Sequence, residues 1–327
     1  MSDVVPDHNA ESALPLVVVL GASGFLGAGV LTACIPLPVR LRAVTRSARP
    51  SGRSQRPEWR VADLTNPRQL AEAVRDADVV LNLAGITTRA AEIDAERINH
   101  GMVLELIDLF SRTRRAPLIV QAGTGSQVGT AGIGRIDGTE PDAPDNAYDA
   151  QKLAAEQALE KAHRAGHVRA IALRLATVFG PGPVPSATDR GVVTTMIRKA
   201  IAGESLPMWG DGTVTRDLLF VEDAARAFVC AMRYGDHLAG EHYLVGSGMG
   251  TPLAELFGSI AKLVAAKSGG SPVSLSSVDI PDTAAASDLI GVEYDCTAFR
   301  HATGWHPRVG LLAGLDRTIA ALCSAEQ

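Results

Sequence analysis

Cysteine is scarce in this chain: Cys34, Cys230, Cys296 and Cys323 are the only four among 327 residues, and none falls in C-x-x-C spacing. Such scatter argues against a disulfide framework or a zinc site and fits packed thiols in a reducing cytosol. Long apolar runs are missing too. Nothing approaches the ~20 residues that span a bilayer, and the opening "MSDVVPDHNAESA" has neither the basic n-region nor the apolar h-region of a secretory signal. The chain therefore reads as cytoplasmic, with a disordered tail over residues 1–13. An excess of positive charge is also absent: 31 Lys and Arg stand against 36 Asp and Glu, a formal charge of −5. Bulk attraction to nucleic acid or to an anionic membrane is not expected, and a small-molecule partner is.

What is present is enough apolar material, 46% of the residues, for one large domain or two interleaved ones. The first half alternates short aliphatic runs with helical patterns: "LVVVL" at 16–20, "RLRAVT" at 40–45, "VVLNL" at 79–83, "LIVQA" at 118–122 and "AIALRL" at 170–175. That alternation predicts an α/β fold, a doubly wound parallel sheet covered on both faces. "TNPRQLAEAVRDA" places Pro67 as a first helical residue behind an Asn or Thr cap. "AERINHGMVLELIDLFSRTRRA" aligns Ile98, Met102, Leu106 and Leu109 on one helix face. The proline and glycine stretch "GPGPVPSATDRG" can continue neither element. It divides a dinucleotide-binding half, 14–182, with returns near 217–246, from a mainly substrate-binding half, 183–327.

Directly after the first strand comes "GASGFLGAGVL", with Gly21, Gly24 and Gly27 in G-x-x-G-x-x-G spacing at the start of a helix. Glycines there let the backbone approach a pyrophosphate, whose charge meets free N–H groups and a positive helix end. Ser23, Phe25 and Leu26 belong to the same candidate cradle. At the end of the second strand an acidic residue would hydrogen-bond the adenosine ribose of NAD. The sequence offers Thr45, Arg46 and Ser47 instead, a cation with hydroxyls where a 2′-phosphate would lie, and so favours NADP(H), with NAD(H) as the alternative. Asp63 and Leu64 are placed beside the adenine, and Leu83, Ala84 and Gly85 of "LNLAGIT" at the carboxyl edge of the next strand.

Tyrosine and lysine are rare, four and five residues, yet Tyr148 and Lys152 lie four apart at the start of the amphipathic stretch "AYDAQKLAAEQALEKAHRAG". An ammonium one helical turn from a phenol, with a nicotinamide cation nearby, would favour the phenolate and tune it for proton transfer. "VQAGTGSQVG" ends the preceding strand with the hydroxyls of Thr124 and Ser126.

With the glycine triplet, Thr124, the Tyr-x-x-x-Lys pair, "LRLATVFGPGP", "WGDGTVTRDLLFVEDAARA" and "TGWHPRVGLLAGL" in order over residues 16–315, the chain resembles the extended short-chain dehydrogenase/reductase superfamily. This is the branch of nucleotide-sugar epimerases, dehydratases and ketoreductases. The resemblance implies that Thr124 hydrogen-bonds the substrate oxygen, Tyr148 exchanges the proton and Lys152 also holds the nicotinamide ribose. It places Ser126 and Thr177 beside the substrate and Arg216 on the nucleotide-sugar diphosphate. The plainer alternative for Arg216 is an ion pair with Asp217 or Asp223. Thr177 stands where many relatives carry Asn, and alanines in "DTAAASDL" replace a second diphosphate-binding arginine. The resemblance further implies a homodimer formed through helices near 94–115 and 146–165.

Among the reactions of that superfamily, a 4,6-dehydratase needs an Asp-Glu acid/base pair after its threonine, where this chain has Gly125 and Ser126. The sequence shows no carboxyl group there for general acid/base work. A 4-epimerase keeps NAD tightly bound and usually carries the ribose-binding acid that is missing here. A reductase is therefore favoured. Because "VVVLGASGFLGAGV", "RLRAVTRS" and "ADLTNPRQLAEAV" look like the 4-ketoreductases of deoxysugar pathways serving glycosylated natural products, the resemblance implies an NADPH-dependent reduction at C4 of a nucleotide-linked, dTDP-type 4-keto-6-deoxyhexose. A nucleotide-sugar 4-epimerase and a non-catalytic NADP sensor are the alternatives.

Overall fold

A computed structural model of the chain describes residues 14–46, 57–86, 92–113, 115–182, 191–282 and 284–325. The expected tail at 1–13, Ser47 and most of the 180–191 stretch lie outside the described residues. In chain order the first elements are β1 (Leu16–Leu20), α1 (Phe25–Cys34), β2 (Arg40–Thr45), β3 (Glu58–Val61), α2 (Pro67–Ala73), β4 (Val79–Asn82), α3 (Glu92–Glu96), α4 (Met102–Ser111) and β5 (Leu118–Thr124). There follow β6 (Gly134–Ile136), α5 (Ala147–Arg164), β7 (Arg169–Leu175), β8 (Thr177–Phe179), α6 (Val192–Ile201), β9 (Leu206–Trp209), β10 (Thr215–Phe220) and α7 (Val221–Arg233). The last are α8 (Gly235–Leu238), β11 (His242–Val245), β12 (Gly250–Pro252), α9 (Leu253–Ser268), β13 (Leu275–Val278), β14 (Val292–Tyr294), α10 (Thr297–Thr303) and α11 (Leu311–Ala325).

Seven strands form one sheet in the order β11-β7-β5-β4-β1-β2-β3, every neighbouring pair parallel. The fold is thus the Rossmann-type α/β arrangement expected. Strand β1 shows why its residues suit both faces: Val17 and Val19 point into one core with Val30, Leu31 and Phe228, while Leu16, Val18 and Leu20 point into another with Leu70, Met102, Leu106 and Leu159. A continuous aliphatic strand satisfies two helix layers, each fully buried Val or Leu contributing roughly 1.5–3 kcal/mol. Helix α2 starts as its sequence suggests: Asn66 Oδ1 accepts from the backbone N–H of Arg68 (3.1 Å) and Gln69 (3.3 Å), with Pro67 in the first turn.

The expected single helix over 94–115 differs in one respect. Arg97–Gly101 forms a π-helical turn between α3 and α4. The extra residue per turn turns Asn99 inward, where it is 1% exposed, and such bulges recur at functional sites. The sheet's strand order reverses between β1 and β4, so the loops after both strands open at one crevice. Small sheets β12-β10-β8, β13-β9 and β14-β6 carry the later part of the chain. The first two rest on a third core of Phe179, Phe220, Val193, Ile197, Phe257, Ile260 and Ile319, whereas β14-β6 places Ile136 and Tyr294 in the core that contains Val17 and Val19. No helix among the described residues is long and apolar enough to cross a membrane.

Candidate active site

The loop 21–24 runs from β1 into α1 with backbone contacts too close for side chains. Gly21 has φ +75°, and a Cβ on Gly27 would lie 2.0 Å from the carbonyl oxygen of Gly21. The third glycine thus lets α1 sit directly on the loop, while a Cβ on Gly21 would meet the Ala84 nitrogen at 2.8 Å. Ser23 and Gly24 are exposed, and Phe25 and Leu26 half-buried, at the mouth of this loop. Helix α1 begins with no side-chain cap and no acidic residue in its first turn, so its N-terminal amides and positive end face the crevice. These residues fit a dinucleotide pyrophosphate. Arg46 follows β2 directly and is exposed. Leu64 is buried, and Asp63 is turned locally: its carboxylate accepts from Thr65 N (2.9 Å) and Oγ1 (2.7 Å), bonds that hold its pKa below the usual range. Leu83, Ala84 and Gly85 leave β4 on the other side of the crevice, with Leu83 N donating to Leu20 O at 3.1 Å.

Lys152 and Tyr148 share one face of α5. Lys152 is 3% exposed, its Nζ lies 6.0 Å from the centre of the Tyr148 ring, and a Cβ on Gly85 would lie 3.8 Å from that Nζ. The lysine therefore lies between α5 and the loop after β4. Asn99, from the π-helical turn, closes the same corner: its Oδ1 accepts from Ile86 N (2.9 Å), and its Nδ2 donates to Ile86 O (3.0 Å) and Gln151 Oε1 (2.8 Å). Burial pushes the Lys152 pKa down to about 8, opposed by Glu156. The expected shift of Tyr148 toward the phenolate depends on Lys152 together with a nicotinamide cation; in the chain alone the balance is different. Burial, with the neighbouring Asp149 carboxylate, pushes the phenol above its ordinary value, so the protein without cofactor stores Tyr148 as an acid.

Thr124 ends β5 and caps the 3-10 turn that follows. Its Oγ1 accepts from Ser126 N (3.3 Å) and lies 2.7 Å from Ser126 Oγ. Ser126 Oγ in turn donates to Asp149 Oδ1 at 2.7 Å. The two positions after Thr124 carry no carboxyl group, as read from the sequence, but Asp149, next to Tyr148, brings one to Ser126 from another element. The position after Thr124 is closed to such a group, since a Cβ on Gly125 would lie 2.0 Å from the hydroxyl of buried Tyr294.

Ser126, Tyr148, Asp149, Thr177 and Arg216 line one cavity of about 600 Å³. Arg216 is held by carbonyls: Nη1 donates to Thr215 O (2.9 Å) and Ile290 O (2.7 Å), and Nη2 to Asp288 O (2.5 Å). Its plainer reading as an ion-pair partner fails. Asp217 accepts from Ser247 N and Oγ, Gly248 N and Tyr294 N, and Asp223 is engaged by Arg226, Arg308 N and Val309 N. Across the cavity Asp145 accepts from Ser287 N (2.7 Å) and Oγ (2.8 Å), which ties segment 284–290 to the start of α5. Sequence reasoning missed Asn99, Asp149, Asp145 and Tyr294. Only Asp149, inside the Tyr-x-x-x-Lys stretch, carried a signal.

Comparisons with known proteins agree with this fold. Residues 17–246 match the family described as NAD dependent epimerase/dehydratase. The chain is 31% identical over 224 residues to a UDP-glucose 4-epimerase of Mycolicibacterium smegmatis, covering 65% of this chain and 67% of that one. It is 29% identical over 299 residues to a dTDP-6-deoxy-L-talose 4-dehydrogenase (NAD(P)(+)) of Kitasatospora kifunensis, covering 89% and 91%. In fold it is similar to a Thermotoga maritima UDP-glucose 4-epimerase crystallised with UDP-glucose: TM-score 0.81, 23% identity, 95% of this chain and all of that one.

Proposed function

The chain belongs to the NAD dependent epimerase/dehydratase family and is an NAD(P)-dependent enzyme; from that premise we propose that it is an NADPH-dependent reductase of the C4 keto group of a nucleotide-linked 4-keto-6-deoxyhexose. The observation that carries the cofactor and direction is Arg46, a cation directly after β2 where no acidic residue stands. An arginine there suits a 2′-phosphate, and a reductase must release its oxidised cofactor. The likeness to a 4-dehydrogenase over nearly the whole chain supports the same choice. The site residues keep the roles assigned from the sequence: Gly21, Ser23, Gly24, Phe25, Leu26 and Gly27 at the pyrophosphate, Arg46 and Ser47 at the 2′-phosphate, Asp63 and Leu64 at the adenine, and Leu83, Ala84 and Gly85 along the cofactor.

Reduced nicotinamide supplies the hydride. Thr124 and Tyr148 bind the substrate carbonyl oxygen and Tyr148 gives it a proton as the alkoxide develops. A phenol held above its ordinary pKa chiefly by burial is protonated at neutral pH, the state that reduction requires. Lys152, with its pKa lowered to about 8, remains mainly an ammonium there, and stabilises the phenolate left behind. Arg216 and Thr177 meet the nucleotide diphosphate from β10 and β8, and Ser126 the sugar.

Dehydration is disfavoured because Tyr294 fills the space that a side chain at position 125 would need. A 4-epimerase with tightly bound NAD remains the competing reading, favoured by the likeness to UDP-glucose 4-epimerase. We further assign a homodimer through α4 and α5, on which Leu104 is exposed at 45%. The test is a spectrophotometric screen of NADPH and NADH consumption against freshly made dTDP-4-keto-6-deoxyglucose and its 3-deoxygenated or 5-epimerised derivatives. Stoichiometric NADPH oxidation is expected. Interconversion of a sugar nucleotide without net oxidation would replace this reading with the epimerase.

A further inference from the structure

Three oxygens from separate elements form a chain into the cavity: Thr124 Oγ1 at the end of β5, Ser126 Oγ in the 3-10 turn, and Asp149 Oδ1 on α5, each 2.7 Å from the next. Each hydroxyl has one proton to give, so the protonation of the carboxyl dictates the direction of the whole chain. With Asp149 ionised, Ser126 must donate to it, and Thr124 must donate to Ser126. Thr124 Oγ1 also accepts from Ser126 N, so what it can still offer a substrate is a lone pair. With Asp149 protonated, the carboxyl donates to Ser126 and Ser126 donates to Thr124. The Thr124 hydroxyl proton is then free.

The proton has a defined place. Asn146 Nδ2 donates to Asp149 Oδ2 at 2.7 Å, and Asn146 Oδ1 is held by the Asp149 backbone N–H at 3.0 Å, which fixes the amide orientation. Oδ2 thus faces a donor, and the oxygen left to carry a proton is Oδ1, the one facing Ser126. A carbonyl oxygen needs a donor, whereas the carbinol that reduction produces needs an acceptor for its proton. We propose that Asp149 is a positioning residue which, through Ser126, sets whether Thr124 presents a donor to a substrate carbonyl or an acceptor to a substrate alcohol. The inference rests on the reading that Thr124 meets the reacting oxygen.

The surroundings favour a carboxyl that titrates. Asp149 is 2% exposed. Burial pushes its pKa up, as do Asp145 beside the same helix and Asp288 from segment 284–290, against the bonds from Ser126 and Asn146. The other ionisable groups around it are Tyr148 and Lys152 on α5, Arg216 on β10 across the cavity, and Tyr294 on β14, which feels the Asp149 charge. A purely structural role is available as the alternative, since Asp149 sits in the first turn of α5 beside its Asn146 cap.

Two measurements separate these roles. Isotope-edited infrared difference spectra, wild type minus D149N, follow the carboxyl band of the protein with NADP+ from pH 3 to 9 and need no substrate. The expected midpoint lies above the ordinary aspartate value and rises further in S126A and, by less, in T124V. A helix-capping carboxylate would titrate at or below the ordinary value and ignore T124V, and either result overturns the proposal. The second measurement is the pH profile of NADPH oxidation with dTDP-4-keto-6-deoxyglucose. Wild-type kcat should fall about tenfold per pH unit above the infrared midpoint. D149N should lose that limb with KM changed by less than about twofold, because its amide nitrogen, facing Ser126, copies the protonated polarity permanently. An unchanged limb in D149N contradicts the proposal. If no keto sugar is reduced while the infrared shifts appear, the reductase reading falls and the titrating relay stands.

Discussion

The cofactor crevice and the substrate cavity are built in opposite ways. The crevice is local: the loop 21–24 and the first turn of α1 make their close contacts with each other and with Leu83 and Ala84 just after β4. The cavity is assembled across the chain, with Asp145 bonded to Ser287 and Arg216 held by carbonyls at 288 and 290. Locally encoded geometry tolerates little change and keeps one use. Geometry assembled at long range can be retuned by single residues.

The largest expected effect removes the proton donor common to both regions. Tyr148→Phe should lower kcat by roughly 10³-fold, with NADPH affinity by fluorescence titration changed by less than about threefold. A comparable loss of affinity would mean that the tyrosine belongs to the crevice and not to the chemistry. Gly27→Ala tests the rigidity of the crevice. Its Cβ would lie 2.0 Å from the Gly21 carbonyl, an overlap expected to cost about 1–3 kcal/mol and to weaken NADPH binding at least tenfold. Unchanged binding would show the loop to be as adaptable as the cavity.

Arg46→Ala should weaken NADPH by roughly 10–100-fold, the worth of one or two charge-assisted bonds, and leave NADH within about twofold. Equal losses would remove the 2′-phosphate from the argument. On the cavity side, Arg216→Lys should raise KM by about tenfold at nearly constant kcat, because an ammonium lacks the planar fork that reaches both the 288 and 290 carbonyls.

The smallest effect is on stability. Burial lowers the Lys152 pKa to about 8 in the folded chain, below its unfolded value of about 10.4. The unfolded chain therefore binds more protons between those values, and stability should rise as pH increases from about 8 to 10.4. Lys152→Met should abolish that rise and increase Tm at pH 7 by roughly 2–4 °C. A rise that survives the substitution would assign it to another group.

The same division explains what the sequence disclosed. Strand β1 matches the aliphatic run at 16–20 because burial on both faces demands continuous apolar residues, and β2 coincides with 40–45 although Arg40 and Arg42 are only half-buried. The glycine loop was legible because spacing alone creates it. Asn99 was not: the π-helical turn that points it inward depends on packing against α5, and a 3.6-residue period does not register one extra residue. Asp149 was missed because adjacency to Tyr148 in sequence says nothing about Ser126, 23 residues earlier, meeting it. Tyr294 closes the space over Gly125 from 169 residues away, a contact with no local pattern to announce it.

The central claim is that hydride leaves a nicotinamide cofactor and stays on the sugar, and isotope transfer tests it most directly. Incubation of the protein with [4-2H]NADPH of each stereochemistry and dTDP-4-keto-6-deoxyglucose should place deuterium at C4 of the product alcohol from one of the two, with one equivalent of NADP+ formed. A product without deuterium from either, or sugar interconversion with no NADP+ released, would contradict the account.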